Sequence, residues 1–191
     1  MEDNSLSIVK EDNRYNKDLT KAQCYLYYFF IFAVLGWILE TIYSFIVLGH
    51  FTSRGFLYGP ICPIYGFGGL IMIIFLNPLK KKPVKLFFTA IVIFTIFEYI
   101  TGYALDALYN LWLWDYRSDF LNLNGRIALF YCFSWGFIAI AFTYGIYPLF
   151  KKVITFLSSK INVKVQIWIL KLISMIYLID NIFSFIEYSK M

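Results

Sequence analysis

Glu40, Glu98 and Asp180 each interrupt an apolar run long enough to cross a bilayer. A charged side chain at mid-membrane costs roughly 2.5–3.5 kcal/mol even on the lenient insertion scale, so each needs a compensating role. Glu98, Gly102 and Asp106 recur at i, i+4 and i+8 and make one stripe on a helix. Gly36, Glu40 and Tyr43 share a second helical face, and Tyr177, Asp180, Ser184 and Glu187 a third. Arg54 and Arg126 stand at segment ends, where they could answer these carboxylates. Two kinds of chemistry fit. In one, Arg54 and Arg126 neutralise Glu40 and Glu98, and the set only specifies helix contacts. In the other, the residues line a polar cavity open to the outer face that binds a ligand or ion. The second reading makes Glu40, Tyr43, Arg54, Tyr58, Tyr65, Glu98, Asp115, Arg126 and Asp180 candidate substrate-binding residues. Apolar side chains could pack helices at lower cost than buried charges, which favours the cavity.

The stretch from Arg54 to Gly69 has a different kind of signal. Gly59, Pro60, Pro63, Gly66, Gly68 and Gly69 spell a broken backbone at the start of a membrane-length apolar segment. Lipid cannot satisfy exposed N–H and C=O groups, so such a backbone must be packed in protein or line a wet cavity. Cys62 lies between Pro60 and Pro63 with no histidine or evident base beside it, which suits a small residue filling a tight turn better than a nucleophile. Gly59, Gly66 and Gly69 can equally serve close helix packing. No Gly-Lys-Ser/Thr follows, so the run is not a phosphate-binding loop, and no other ATP-binding motif is present. Further along, Trp112, Trp114 and Tyr116 read as interfacial anchors, and Asn124-Gly125 as a turn. Alternatively, Asp115 and these aromatics form a lid over the cavity, with Asp115 pairing Arg54 or Arg126.

The elements that must position these groups are helices in lipid. Of the 191 residues, 60% are hydrophobic and 15% charged, whereas soluble domains carry roughly 25% charged residues. Mean hydropathy is +0.66. Five apolar segments can each cross the ~30 Å of hydrocarbon with ~20 helical residues. They run over about 22–48, 56–79, 84–108, 126–150 and 164–187. The fold class expected is an all-α integral membrane protein of about five transmembrane helices, the second broken or partly re-entrant at its outer end. Residues 1–21 form a polar cytoplasmic tail without the pattern of a cleavable signal peptide, and residues 22–191 form one helical transmembrane domain.

Charge gives an orientation. Lys10, Arg14, Lys17 and Lys21 precede the first segment; Lys80, Lys81, Lys82 and Lys85 follow the second; Lys151, Lys152, Lys160 and Lys164 follow the fourth. These twelve fall on one side of a five-span chain, against Arg54, Arg117, Arg126 and Lys190 on the other. The N-terminus is therefore expected in the cytoplasm and the C-terminus outside, provided the second segment crosses. Lys171 is expected to snorkel to the cytoplasmic interface. The net charge of +5 reflects these loops; no basic, aromatic-interleaved surface for nucleic acid is apparent. Cys24, Cys62 and Cys132 lack metal-ligand spacing and His50 is the sole histidine, so neither a metal nor another cofactor is expected.

Several of these residues also resemble a bacterial family catalogued as putative ABC transporter permeases (type IV, CmpB-like). The matching pieces are Gly36-Trp37-x-x-Glu40-x-x-Tyr43, the run from Arg54 through Gly66, Glu98, Trp114-Asp-Tyr116, Asn124-Gly-Arg126, Trp135-Gly136 and, more loosely, Asp180. Ser53 stands where the resemblance would place Asn, and Leu113 interrupts an expected tryptophan pair. The resemblance implies a multispan protein of the bacterial cell membrane acting as a permease-like subunit. So small a chain would then need a separate ATPase subunit, and self-association into a homo-oligomer, to form a path across the bilayer. Two alternatives stand beside it: a membrane binding, sensing or assembly-scaffold protein without transport, and a small enzyme modifying a lipid or envelope precursor. For the enzyme the sequence assigns no catalytic residue.

Overall fold

The computed structural model describes residues 19–51 and 55–189. Five helices account for most of them: α1 Lys21–Leu48, α2 Pro63–Leu79, α3 Pro83–Tyr109, α4 Leu129–Lys160 and α5 Val163–Tyr188. All but α2 are long and apolar enough to cross a membrane. Large apolar side chains cover their outer surfaces, among them Ile46, Phe130 and Trp168. In water such surfaces would be a liability; here they identify lipid as the solvent, and the protein is an all-helical integral membrane protein.

Local chemistry explains the helix ends. Thr20 caps α1 and Gln23 bonds back to the Thr20 backbone, closing a capping box. Gly49 ends the helix in the left-handed region at φ 73°, its N–H bonded to Phe45. Asn110 does the same for α3 at φ 51°. Pro83 opens α3 at a position where a missing N–H has no cost.

One feature matches the sequence reading and a second departs from it. The second segment is helical only from Pro63; residues 55–62 are irregular, so α2 spans 17 residues, or ~25 Å at 1.5 Å per residue. The fourth helix runs ten residues beyond the expected end at 150 and carries Lys151, Lys152 and Lys160 inside it. Both α2 and α4 also widen into a π turn, at Met72–Leu76 and Phe142–Ile146. Each turn begins six residues before a proline, Pro78 and Pro148. A proline lacks an N–H and crowds the carbonyl four residues back. Widening to i→i+5 bonding, as between Tyr147 N–H and Phe142 O, relieves both problems without ending the helix.

The described residues divide into two compact units. One comprises the chain up to Ile71 with Phe150–Glu187, and the other Met72–Leu149 with the C-terminal residues from Tyr188. In the first, α1 packs along the start of α2, and Phe29, Phe30, Ala33, Leu57, Ile61 and Leu170 form a buried apolar core. In the second, α3 packs against α4, and the two π turns meet each other.

Candidate functional site

The irregular segment 55–62 is held by other parts of the protein, as an irregular backbone in lipid would have to be. The Asp180 carboxylate on α5 accepts the backbone N–H groups of Tyr58 at 3.1 Å and Gly59 at 2.9 Å. The Cys62 N–H reaches the Ala33 carbonyl on α1 at 3.0 Å. A Cβ at Gly59 would lie 2.9 Å from Asp180 Oδ2, so glycine lets the carboxylate come in close. Asp180 thus acts as an anchor for the turn. Replacing Asp180 with Ala in a Cys24→Ser, Cys132→Ser background is expected to raise the labelling rate of buried Cys62 by at least about tenfold. That factor corresponds to ~1.4 kcal/mol, less than one charge-assisted hydrogen bond. Unchanged labelling would remove Asp180 from this role.

On the same unit, the Tyr65 hydroxyl donates to Glu40 Oε1 at 2.5 Å. The Tyr65 ring fills the place that a side chain at Gly36 would need. Gly36 and Glu40, one turn apart on α1, therefore receive one residue of α2. Tyr43 lies outside this contact, with 62% of its surface exposed. Tyr58 contributes its backbone N–H to Asp180 while its side chain is exposed. Arg54 lies outside the described residues.

The second unit holds the other candidates. Glu98 is buried on α3, its Oε1 accepting from the Tyr116 hydroxyl at 3.0 Å and its Oε2 from Trp135 Nε1 at 2.9 Å. Phe94 stacks on Trp135 and Tyr131 on Tyr116, so both donors are fixed from behind. No arginine or lysine is within ion-pair distance of Glu98 among the described residues. Arg126 instead pairs with Asp106 at 2.5 Å and lies over the rings of Tyr99, Tyr103 and Trp112. The expected Arg126–Glu98 neutralisation is therefore replaced by an Arg126–Asp106 pair two turns further along the same stripe. Its Nε is buried without an acceptor.

Residues 110–128 fold over that stripe. Trp114 packs at Gly102, where an added Cβ would meet its ring at 3.4 Å, and its Nε1 donates to the Arg126 carbonyl at 2.9 Å. Trp112 Nε1 donates to Asp106 at 2.9 Å. Asn124 and Gly125 take positive φ values of 53° and 67°, closing a tight turn that brings Leu123 opposite Ile127. Asp115 pairs with neighbouring Arg117 and not with Arg126. The Arg117 guanidinium and backbone N–H hold the Asp115 carboxyl below the usual carboxylate range.

A small hollow of about 10 Å³ remains between Gly102, Leu105, Leu111, Trp112, Leu113, Trp114 and Arg126, room for about one water molecule. Pockets for drug-sized ligands run roughly 300–1,000 Å³. The loop thus fills much of the space over the stripe. Among the described residues no cluster of His, Cys, Asp and Glu could hold a metal ion.

Sequence reasoning placed Glu98 and Asp106 on one face but left their partners open. Trp135 carried no local signal for its role. Trp135 is 37 residues from Glu98, and only packing of α4 on α3 brings its indole to the carboxylate.

Comparison with known proteins adds one positive finding. A family model described as "Putative ABC-transporter type IV" matches residues 27–185. Neither a search of curated proteins nor one of solved structures finds a match.

Proposed function

Because the chain belongs to the family described as "Putative ABC-transporter type IV", we propose that it is the membrane-embedded, permease-like subunit of a transport system, with Glu98 at the centre of its polar site. The observation that carries this reading is the Glu98 carboxylate, buried in an apolar helix and held by two neutral donors, with no cation within ion-pair distance among the described residues. Intramembrane carboxylates of this kind mark substrate or ion pathways more often than packing. The chain has no nucleotide-binding motif of its own, so the energy source is a separate ATPase subunit. The setting is a bacterial cell membrane with the N-terminus in the cytoplasm. For the three basic groups to share that side, residues 55–79 must traverse the bilayer, the irregular part packed as Asp180 and Ala33 hold it.

The test is gentle extraction of the protein together with a bound ATPase subunit, followed by reconstitution. Wild type is expected to co-purify with that ATPase and to move ligand into proteoliposomes. Glu98→Gln is expected to keep wild-type abundance and lose transport. A chain that purifies alone, or a Glu98→Gln variant with full transport, would overturn the assignment. One observation favours a second reading, an assembly scaffold or sensor without transport. Glu40, Asp106, Asp115 and Asp180 each take a partner within the chain, as a packing network would require.

A further inference from the structure

The lysines of α4 and α5 take no part in the groups above. Between Asp119 and Asp180 the sequence contains no carboxylate, yet five lysines fall in this interval. On α5, Lys164, Trp168 and Lys171 recur at i, i+4 and i+7, on one exposed face, over ~10 Å of helix. The Lys171 ammonium lies 5.4 Å from the Trp168 ring. At the end of α4, the Lys160 ammonium lies 5.8 Å from the Phe156 ring. None of these three lysines has an ion-pair partner among the described residues. Beyond Lys171 the same face of α5 becomes apolar, with Met175 and Ile182 exposed.

That gradient decides the occupant. A face that passes from lysine and tryptophan to pure hydrocarbon within a turn or two matches a molecule that is anionic at one end and apolar at the other. An acidic protein surface or a free phosphate would use only the first half. Tryptophan also prefers the headgroup boundary, and lysines beside a membrane helix attract anionic lipid. From these observations we infer that Lys160, Lys164, Trp168 and Lys171 form a headgroup site for an anionic phospholipid, whose chains run along Met175 and Ile182. The site is separate from Glu98, and its failure would leave the transport reading untouched.

The experiment places the full chain in nanodiscs of phosphatidylcholine, with or without phosphatidylglycerol, and measures thermal unfolding and the lipid retained in native mass spectrometry. Phosphatidylglycerol is expected to raise the unfolding temperature and to be retained in preference to phosphatidylcholine. Each lysine near an anionic surface contributes ~1 kcal/mol, about fivefold, so Lys164→Gln with Lys171→Gln should reduce that preference by about 25-fold. The double variant should unfold at the wild-type temperature in phosphatidylcholine alone. If it does not fold, Lys171→Gln by itself should show about a fivefold loss. Equal retention of the two lipids would overturn the proposal, as would an undiminished preference in the variants. So would an equal stabilisation by inorganic phosphate, or displacement of the lipid by poly-glutamate, which would assign the lysines to a free anion or an acidic protein.

Discussion

Gly66→Leu is expected to abolish accumulation of folded protein, and Gly66→Ala to destabilise it by about 1–3 kcal/mol, the usual cost of overpacking a tight contact. A Cβ at Gly66 would lie 2.6 Å from the Phe29 ring and 2.8 Å from the Phe29 carbonyl oxygen. The ring can turn aside, but the backbone oxygen moves only if the helix does. Gly69 differs in an instructive way, because the three atoms nearest its added Cβ all belong to the Phe32 side chain, at 2.5, 2.8 and 3.1 Å. Gly69→Ala should therefore be rescued in part by Phe32→Ala, while Gly66→Ala should not be rescued by Phe29→Ala. Unfolding of the single and double variants in mixed micelles would measure both couplings. Full stability of Gly66→Ala would show that α1 and α2 do not meet there.

The second large effect concerns Glu98. Glu98→Leu is expected to cost about 1–3 kcal/mol for each part-buried donor left without an acceptor, with Trp135 the clearer case because its indole N–H can only donate. Glu98→Gln should be nearly neutral for folding. Its carbonyl can accept from Trp135, and its amide can donate to the Tyr116 oxygen, since a hydroxyl serves in either role. The two variants thus separate what the fold needs, an acceptor at Trp135, from what transport needs, a carboxylate. Comparing their unfolding with that of Trp135→Phe would check this, because the leucine variant should lose much of its penalty once the indole N–H is gone. If Glu98→Leu proved as stable as Glu98→Gln, the hydrogen bonds to Tyr116 and Trp135 would have no role in stability.

These expectations rest on information of two kinds. Apolar runs, prolines, caps and turn residues act over a few positions, so the sequence by itself determined the membrane class, the helices to within a few residues at most ends, the break before Pro63 and the tight turn at Asn124-Gly125. It also placed Glu98 and Asp106 on one stripe, because helical periodicity is local. The π turns ahead of Pro78 and Pro148 were legible in principle, since the same proline rule produces both. Partner choice was not. Asp180 meets Tyr58 across 122 positions, Tyr65 meets Glu40 across 25, and Trp135 meets Glu98 across 37. Charge alone would have paired Glu98 with Arg126, yet Arg126 sits nearer Asp106 and its aromatic neighbours. Which carboxylate gains a cation and which is left with neutral donors depends on distances of a few ångströms, and only the packing of helices distant in sequence sets those distances.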